Sequence, residues 1–217
     1  MTSQSNVAPQ GASRGLRRFL FPVIIAGLCL GVVLDTKVVQ IGSDEDVQDD
    51  VFNAAEYGTA EFPRQQALIE EAAVDAVVLS DAIAVDKDAA TEQYGRPAGI
   101  GPIFSVSFTG IVGEGRSGIF DVAVDGLPEG LRVRVQTGPA INGTELRDAT
   151  GTIAFGQFTN QIEYQDAGSA INNALKAEVL AELDRENLTG KTITVVGAFR
   201  LINPASWLVT PVSLSVQ

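Results

Sequence analysis

The hydrophobic pattern changes period at Ile103, and no other feature narrows the fold as much. From there Phe104, Val106, Phe108 and Val112 alternate with Ser105, Ser107 and Thr109, which predicts a half-buried strand with Gly110 as a bend. Phe120, Val122 and Val124 predict a second strand. Leu131, Val133 and Val135, alternating with Arg132 and Arg134, predict a third, joined to the second through Gly126-Leu127-Pro128-Glu129-Gly130. Asp166 is expected to cap a helix carrying Ala167, Ile171, Leu175, Val179 and Leu183 on one face, ended by Gly190. Two strands close the chain: Ile193, Val195, Phe199 and Leu201, then Leu208, Val212, Leu214 and Val216. Pro211 should place the last of them at an edge or a bulge. Three strands, a helix and two strands is the order of an OB-like Greek-key β-barrel with an inserted helix. The expected class is α+β, with the barrel over residues 103–217.

A glycine pattern inside this region invites a different reading. Gly113-x-Gly115-x-x-Gly118 matches the dinucleotide fingerprint on paper. A fingerprint must open a helix whose amino terminus holds the pyrophosphate. Here Ile119-Phe120-Asp121-Val122 begins a strand, so a flexible hairpin is expected instead.

Residues 37–102 read as a helical annex. Lys37 to Ile41 form a short strand, and Ser43 or Asp44 caps a short helix through Tyr57. The acidic run Ser43–Asp50 lacks the ligand spacing and glycine of a calcium loop. Pro63 is expected to open a long helix, with Leu68, Ala72, Ala76, Leu79 and Ile83 as one apolar stripe. Asp86 then caps a second helix, terminated by Gly95 and Pro97. The annex serves as a lid or buttress on the barrel, or offers a helix to a partner.

Charge sorts the ends of the chain. Arg14, Arg17 and Arg18 precede the sixteen uncharged residues Phe19–Leu34, and all 27 Asp and Glu lie at or beyond Asp35. Basic residues before an apolar run keep the amino terminus inside and send the rest outward. Residues 1–18 are then a cytoplasmic tail, and residues 19–34 a transmembrane anchor or signal segment. Three alternatives to an anchor compete: a cleaved signal peptide, a lipoprotein signal weakened by Leu28 before Cys29, and a buried helix. The expected placement is the bacterial inner membrane, single-pass, with the carboxyl-terminal domain in the periplasm. Beyond residue 34 the net charge is −15, from 12 basic and 27 acidic residues. Such a body repels phosphate backbones, so nucleic acid is excluded as a partner. With no histidine and one cysteine, Ser-His-Asp and Cys-His catalysis, Cys/His zinc sites and internal disulfides are excluded too. No cofactor or metal is expected.

The densest chemistry lies between Gln136 and Tyr164, punctuated by turn residues Gly138, Pro139, Gly143 and Gly151. Gln136, Thr144, Arg147, Asp148, Asn160, Gln161 and Glu163 are the candidate ligand-binding residues, types suited to a sugar or a carboxylate. Asp148 and Glu163 would be the pair for carboxylate-dependent hydrolysis if they faced one cleft. In the structural alternative, Arg147 and Asp148 form an internal ion pair, and Asn160 and Gln161 satisfy turn backbone.

The runs QTGPAINGTELRDATG (Gln136–Gly151), FGQFTNQIEYQDAGSAINNAL (Phe155–Leu175) and GKTITVVGAF (Gly190–Phe199) resemble a bacterial family of predicted periplasmic lipoproteins, domain of unknown function 2291. The likeness extends from about Lys37 to the carboxyl end. Genes of the family commonly neighbour those of sugar ABC transporters. The resemblance therefore implies a noncatalytic accessory role in carbohydrate uptake, with transporter subunits or the solute-binding protein as partners. A structural envelope protein is the other noncatalytic reading. Members usually carry a lipobox cysteine just before a Lys-Val-Val segment. Here Asp35-Thr36 precedes Lys37, which favours the transmembrane anchor.

Overall fold

A computed structural model describes residues 52–217 and a few helical positions between Pro22 and Gly31. The expected anchor as a continuous span, the strand at Lys37–Ile41 and the cap at Ser43 or Asp44 lie outside the described residues. Residues 52–217 form one compact unit. In order they comprise α1 (Ala54–Ala72), β1 (Val74–Asp75), α2 (Ala76–Val85), α3 (Lys87–Tyr94), β2 (Gly95–Arg96) and β3 (Ile103–Arg116). After these come β4 (Ile119–Ala123), β5 (Arg132–Gln136), α4 (Glu145–Asp148), α5 (Gln161–Glu178), β6 (Thr192–Arg200) and β7 (Ser206–Val216).

The expected strand order is present. β3 pairs with β4, β4 with β5, and β5 runs parallel to β7. β7 pairs with β6, and β6 returns to β3. β3 serves two neighbours because it is long: Ile103–Ile111 pair with β6, and Ile111–Arg116 pair with β4. The short β1 and β2 add further pairings to its amino-terminal half. The glycine motif is the hairpin between β3 and β4. Ser117 and Gly118 both have positive φ, as a two-residue turn between twisted strands requires. Pro211 sits at a bulge, where the β6–β7 register shifts between Val196 and Gly197.

Alternation along β3 fades because both faces are covered. Phe104, Val106, Phe108 and Val112 share one core on the inner face of the sheet with Val133, Val135, Val195, Phe199 and Trp207. Ile103 on the other face joins Ala198 and Val212 under Phe62, Ile69, Ile171 and Leu175 of α1 and α5. Ser105, polar in the alternation, is buried as well. The helices before the barrel divide their work accordingly. α1 packs on α5 outside the sheet, while Ala76, Leu79 and Ile83 of α2 and Ala90 of α3 extend the interior core.

Three helix boundaries differ from expectation. α1 starts at Ala54, capped by Asn53, whose side chain accepts from the Glu56 amide at 3.2 Å. Pro63 therefore lies inside the helix, on its exposed face, where solvent reaches the carbonyl that loses its donor. The single stripe from Leu68 to Ile83 breaks at Ala73, because Val74 and Asp75 pair with Val106 and Ser107 of β3. Asp75 then caps α2 by accepting from the Val77 and Val78 amides. In α1 the buried stripe is Gly58, Phe62, Gln65 and Ile69, with Ala72 exposed. The third difference is α5, which begins at Gln161 with Asn160 as its cap, not at Asp166, and stops at Glu178, so that Leu183 of the expected stripe lies beyond the helix. Asp86 does cap α3, accepting from the Asp88 and Ala89 amides, and Gly95 ends it.

The α1–α5 crossing depends on one small residue. A Cβ at Gly58 would collide with the Ala170 carbonyl oxygen. Gly→Ala inside a helix ordinarily gains about 1 kcal/mol. For Gly58→Ala the sign should reverse, with a loss of about 1–3 kcal/mol from forced separation of the helices. Urea unfolding of the two proteins measures it.

Candidate functional site

The polar stretch after β5 folds over the outer face of the sheet and is organised by the Asp148 carboxylate. α4 is one turn long, and Thr144 occupies its cap position without capping it. The Thr144 hydroxyl instead donates to Asp148 Oδ2 at 2.7 Å. Arg147 Nε donates to Asp148 Oδ1 at 2.7 Å, and Arg200 Nη2, from the end of β6, donates to Oδ2 at 3.2 Å. The Tyr164 hydroxyl approaches Oδ1 at 3.5 Å. Both carboxylate oxygens are thus occupied by donors from three elements.

The two guanidiniums are held as firmly. Arg147 is 7% exposed. Its Nη1 donates to the Tyr164 carbonyl at 2.9 Å, and its central carbon lies 3.7 Å from the centroid of the Tyr164 ring. Arg200 Nη1 donates to the Ala98 carbonyl at 2.6 Å and the Gly101 carbonyl at 3.3 Å, and Nε stands 3.6 Å from Glu145 Oε1. Two acids and two bases therefore balance within the cluster, which is how buried charge is tolerated. Arg200 fixes the loop at residues 97–101 against α4, and between them opens a pocket of about 580 Å³. Asp148, Glu145, Thr144, Tyr164 and Arg200 line it, together with Ile100 and Ile153.

The other candidate residues are placed elsewhere. Gln136 is 1% exposed and spent on structure. Its amide nitrogen donates to the Asn142 carbonyl at 3.0 Å and to Thr210 Oγ1 at 2.7 Å, and its oxygen accepts from the Asn142 amide at 3.0 Å. Asn160 caps α5 by accepting from the Ile162 and Glu163 amides at 2.9 and 3.0 Å. Glu163 accepts from the Thr159 amide at 2.9 Å and the Asn160 side chain at 3.1 Å. Gln161 is exposed at the first position of that helix. Thr144, Arg147 and Asp148 therefore come together, whereas Gln136, Asn160, Gln161 and Glu163 do not line the pocket. Of the pair Asp148 and Glu163, only Asp148 lines this pocket. Among the described residues no group of carboxylates or cysteine could hold a metal ion.

Three participants were not singled out from sequence. Arg200 had a signal: it is the only charge in β6, Thr192–Arg200. Gln65 stood on an apolar helical stripe; it is fully buried, donating to Glu61 and Thr152 and accepting from Thr150. Arg185 donates to the Thr137, Leu180 and Leu183 carbonyls, tying the end of β5 to the turn after α5. Its sequence surroundings carry no signal of that role.

Burial raises the Tyr164 phenol above its ordinary value of 10.0; Asp148 adds to the shift and Arg147 opposes it. Tyr57 is raised as well, by burial first and then by Glu61. A phenol with a raised folded pKa contributes stability below the unfolded value and loses it as pH climbs through the folded one. Stability should therefore fall above about pH 10, and Tyr164→Phe should flatten that fall. Urea midpoints at about pH 8 and about pH 11 for both proteins test this.

A crystal structure described as an OB-fold protein from Thermotoga maritima MSB8 is similar at TM-score 0.60 and 18% identity, over 76% of this chain and 99% of that one. At that identity the likeness is one of fold, and it agrees with the strand order above. No curated protein matches the sequence. Among the described residues no helix is long and apolar enough to cross a membrane. A family model described as predicted periplasmic lipoprotein (DUF2291) matches residues 23–215, and the chain belongs to that family.

Proposed function

We propose that this protein is a noncatalytic accessory component held at the periplasmic face of the inner membrane, where it assists carbohydrate uptake by an ABC transporter. The observation that carries the noncatalytic reading is the state of Asp148. Of the carboxylate pair Asp148 and Glu163 it alone lines the pocket, and its two oxygens accept from Arg147, Arg200 and Thr144. A carboxylate whose two oxygens are both engaged by donors of its own chain orients and binds. Glu163, the other half of a hydrolytic pair, instead accepts from the Thr159 amide and the Asn160 side chain at the start of α5.

Family membership supports the periplasmic setting. Tethering through the apolar run Phe19–Leu34 rests on its basic inner flank and acidic outer flank, and on Leu28 standing where a lipobox needs a small residue. The pocket at Arg200 and Asp148, with the Tyr164 ring beside it, suits hydroxylated or amide-bearing groups of a sugar or a partner's loop. Affinity capture of the full chain from detergent-solubilised membranes should recover a sugar-transporter subunit or its solute-binding protein. Recovery of neither, with sugar uptake unchanged on deletion of the gene, would leave a structural envelope role.

A further inference from the structure

A second pocket opens on the outer face of β3, at the point where two short strands leave a gap. β2 sets Gly95 opposite Phe104, and β1 sets Val74 opposite Val106, so neither strand places a residue opposite Ser105. α3 ends at Tyr94, directly before Gly95, and α1 ends at Ala72, just before Val74. The register therefore brings the carboxyl ends of two helices to either side of Ser105. About 640 Å³ of space lies there, within the range of small-molecule sites. Thr150 and Thr152 line it from the loop after α4, whereas Asp148, Gly151 and Ile153 of the same loop line the pocket described above.

Ser105 is the unusual member of the wall. It is 6% exposed, and its hydroxyl makes no hydrogen bond among the described residues. The fully covered side-chain nitrogens and oxygens that lack a partner there are Arg134 Nε and Trp207 Nε1. Ser105 Oγ is not one of them, so it keeps open surface, and the space it lines is this pocket. A hydroxyl this deeply buried ordinarily finds a partner within the protein. The charged side chains of the wall are uncommitted too. Ion pairs among the described residues join Glu61, Asp121, Glu145 and Asp148 to Arg64, Arg132, Arg147 and Arg200. Glu71, Glu92 and Arg96, all exposed at the pocket, enter none of them.

The sign of the ligand follows from the field. Two acids against one base leave the wall negative, and neither helix has a basic residue in its last turn. Each helix carboxyl end adds roughly half a negative charge. A bare metal ion would leave most of the volume empty, and Leu68, Ala72 and Ile103 supply an apolar side. We propose that this pocket binds a small organic cation, a primary ammonium on a partly apolar body. Ser105 Oγ accepts from the ammonium, and Glu71 and Glu92 balance its charge. The site stands whether or not the role proposed for the Asp148 pocket holds.

The test is calorimetric titration of the full chain in phosphatidylcholine nanodiscs with benzylamine, and with benzyl alcohol, which keeps the ring and replaces the ammonium by a hydroxyl. Benzylamine should bind saturably and roughly tenfold more tightly than the alcohol. Ser105→Ala should weaken benzylamine about tenfold, the worth of a hydrogen bond to a charged group. Its urea midpoint should equal the parent's or exceed it, because the hydroxyl holds nothing in the fold. Glu71→Gln combined with Glu92→Gln should weaken benzylamine and leave benzyl alcohol as it was. Four results would each overturn the assignment: no saturable benzylamine binding, equal affinity for amine and alcohol, unchanged amine binding in Ser105→Ala, or a Ser105→Ala chain clearly less stable than its parent.

Discussion

The carboxylate of Asp148 joins parts of the chain that have little else in common. It belongs to a four-residue helix too short to stand alone, and it accepts from Arg147 beside it, Arg200 at the end of β6 and Thr144 at the helix start. Arg147 carries the connection to α5 through the Tyr164 carbonyl and ring. Arg200 carries it to the loop before β3 through the Ala98 and Gly101 carbonyls. A one-turn helix has no cooperative stability of its own. Its place on the sheet is set by these charge-assisted bonds and by Leu146, which is fully buried beneath it.

The same junction explains why the pocket exists. The loop at residues 97–101 and α4 are both drawn to Arg200, and the pocket lies between them, with Ile100 of the loop left exposed beside it. The result is a polar recess whose charges are already neutralised by one another. Such a recess can discriminate by hydrogen bonding.

What was legible in the sequence is what depends on near neighbours. Alternation at Phe104 to Phe108, the Ser117-Gly118 turn, the Asp86 cap and the Pro211 bulge all follow from local rules, and the strand order followed from them. The misplacements share a cause. Pro63 resembled a helix start because nothing local shows that Asn53 already caps one. The break at Ala73 depends on Val74 meeting Val106, a pairing between distant segments. The helix expected from Asp166 begins earlier, where Asn160 caps it and Phe158 packs on Tyr164, a contact between rings that no capping rule anticipates. At the site, Thr144, Arg147 and Asp148 were close enough in sequence to be grouped. Arg200 was not, since it reaches Asp148 only after the barrel has brought β6 beside α4.

Whether the Asp148 carboxylate is committed or available is the point on which the reading of the site turns. The most direct measurement is a double-mutant cycle on folding stability, with Asp148→Asn, Arg200→Met and the double variant compared with the full chain. Commitment predicts a coupling energy of about 1–3 kcal/mol between the two positions, with each single variant clearly destabilised. Coupling near zero, with Asp148→Asn as stable as the parent, would contradict it and return Asp148 to the list of residues free for chemistry.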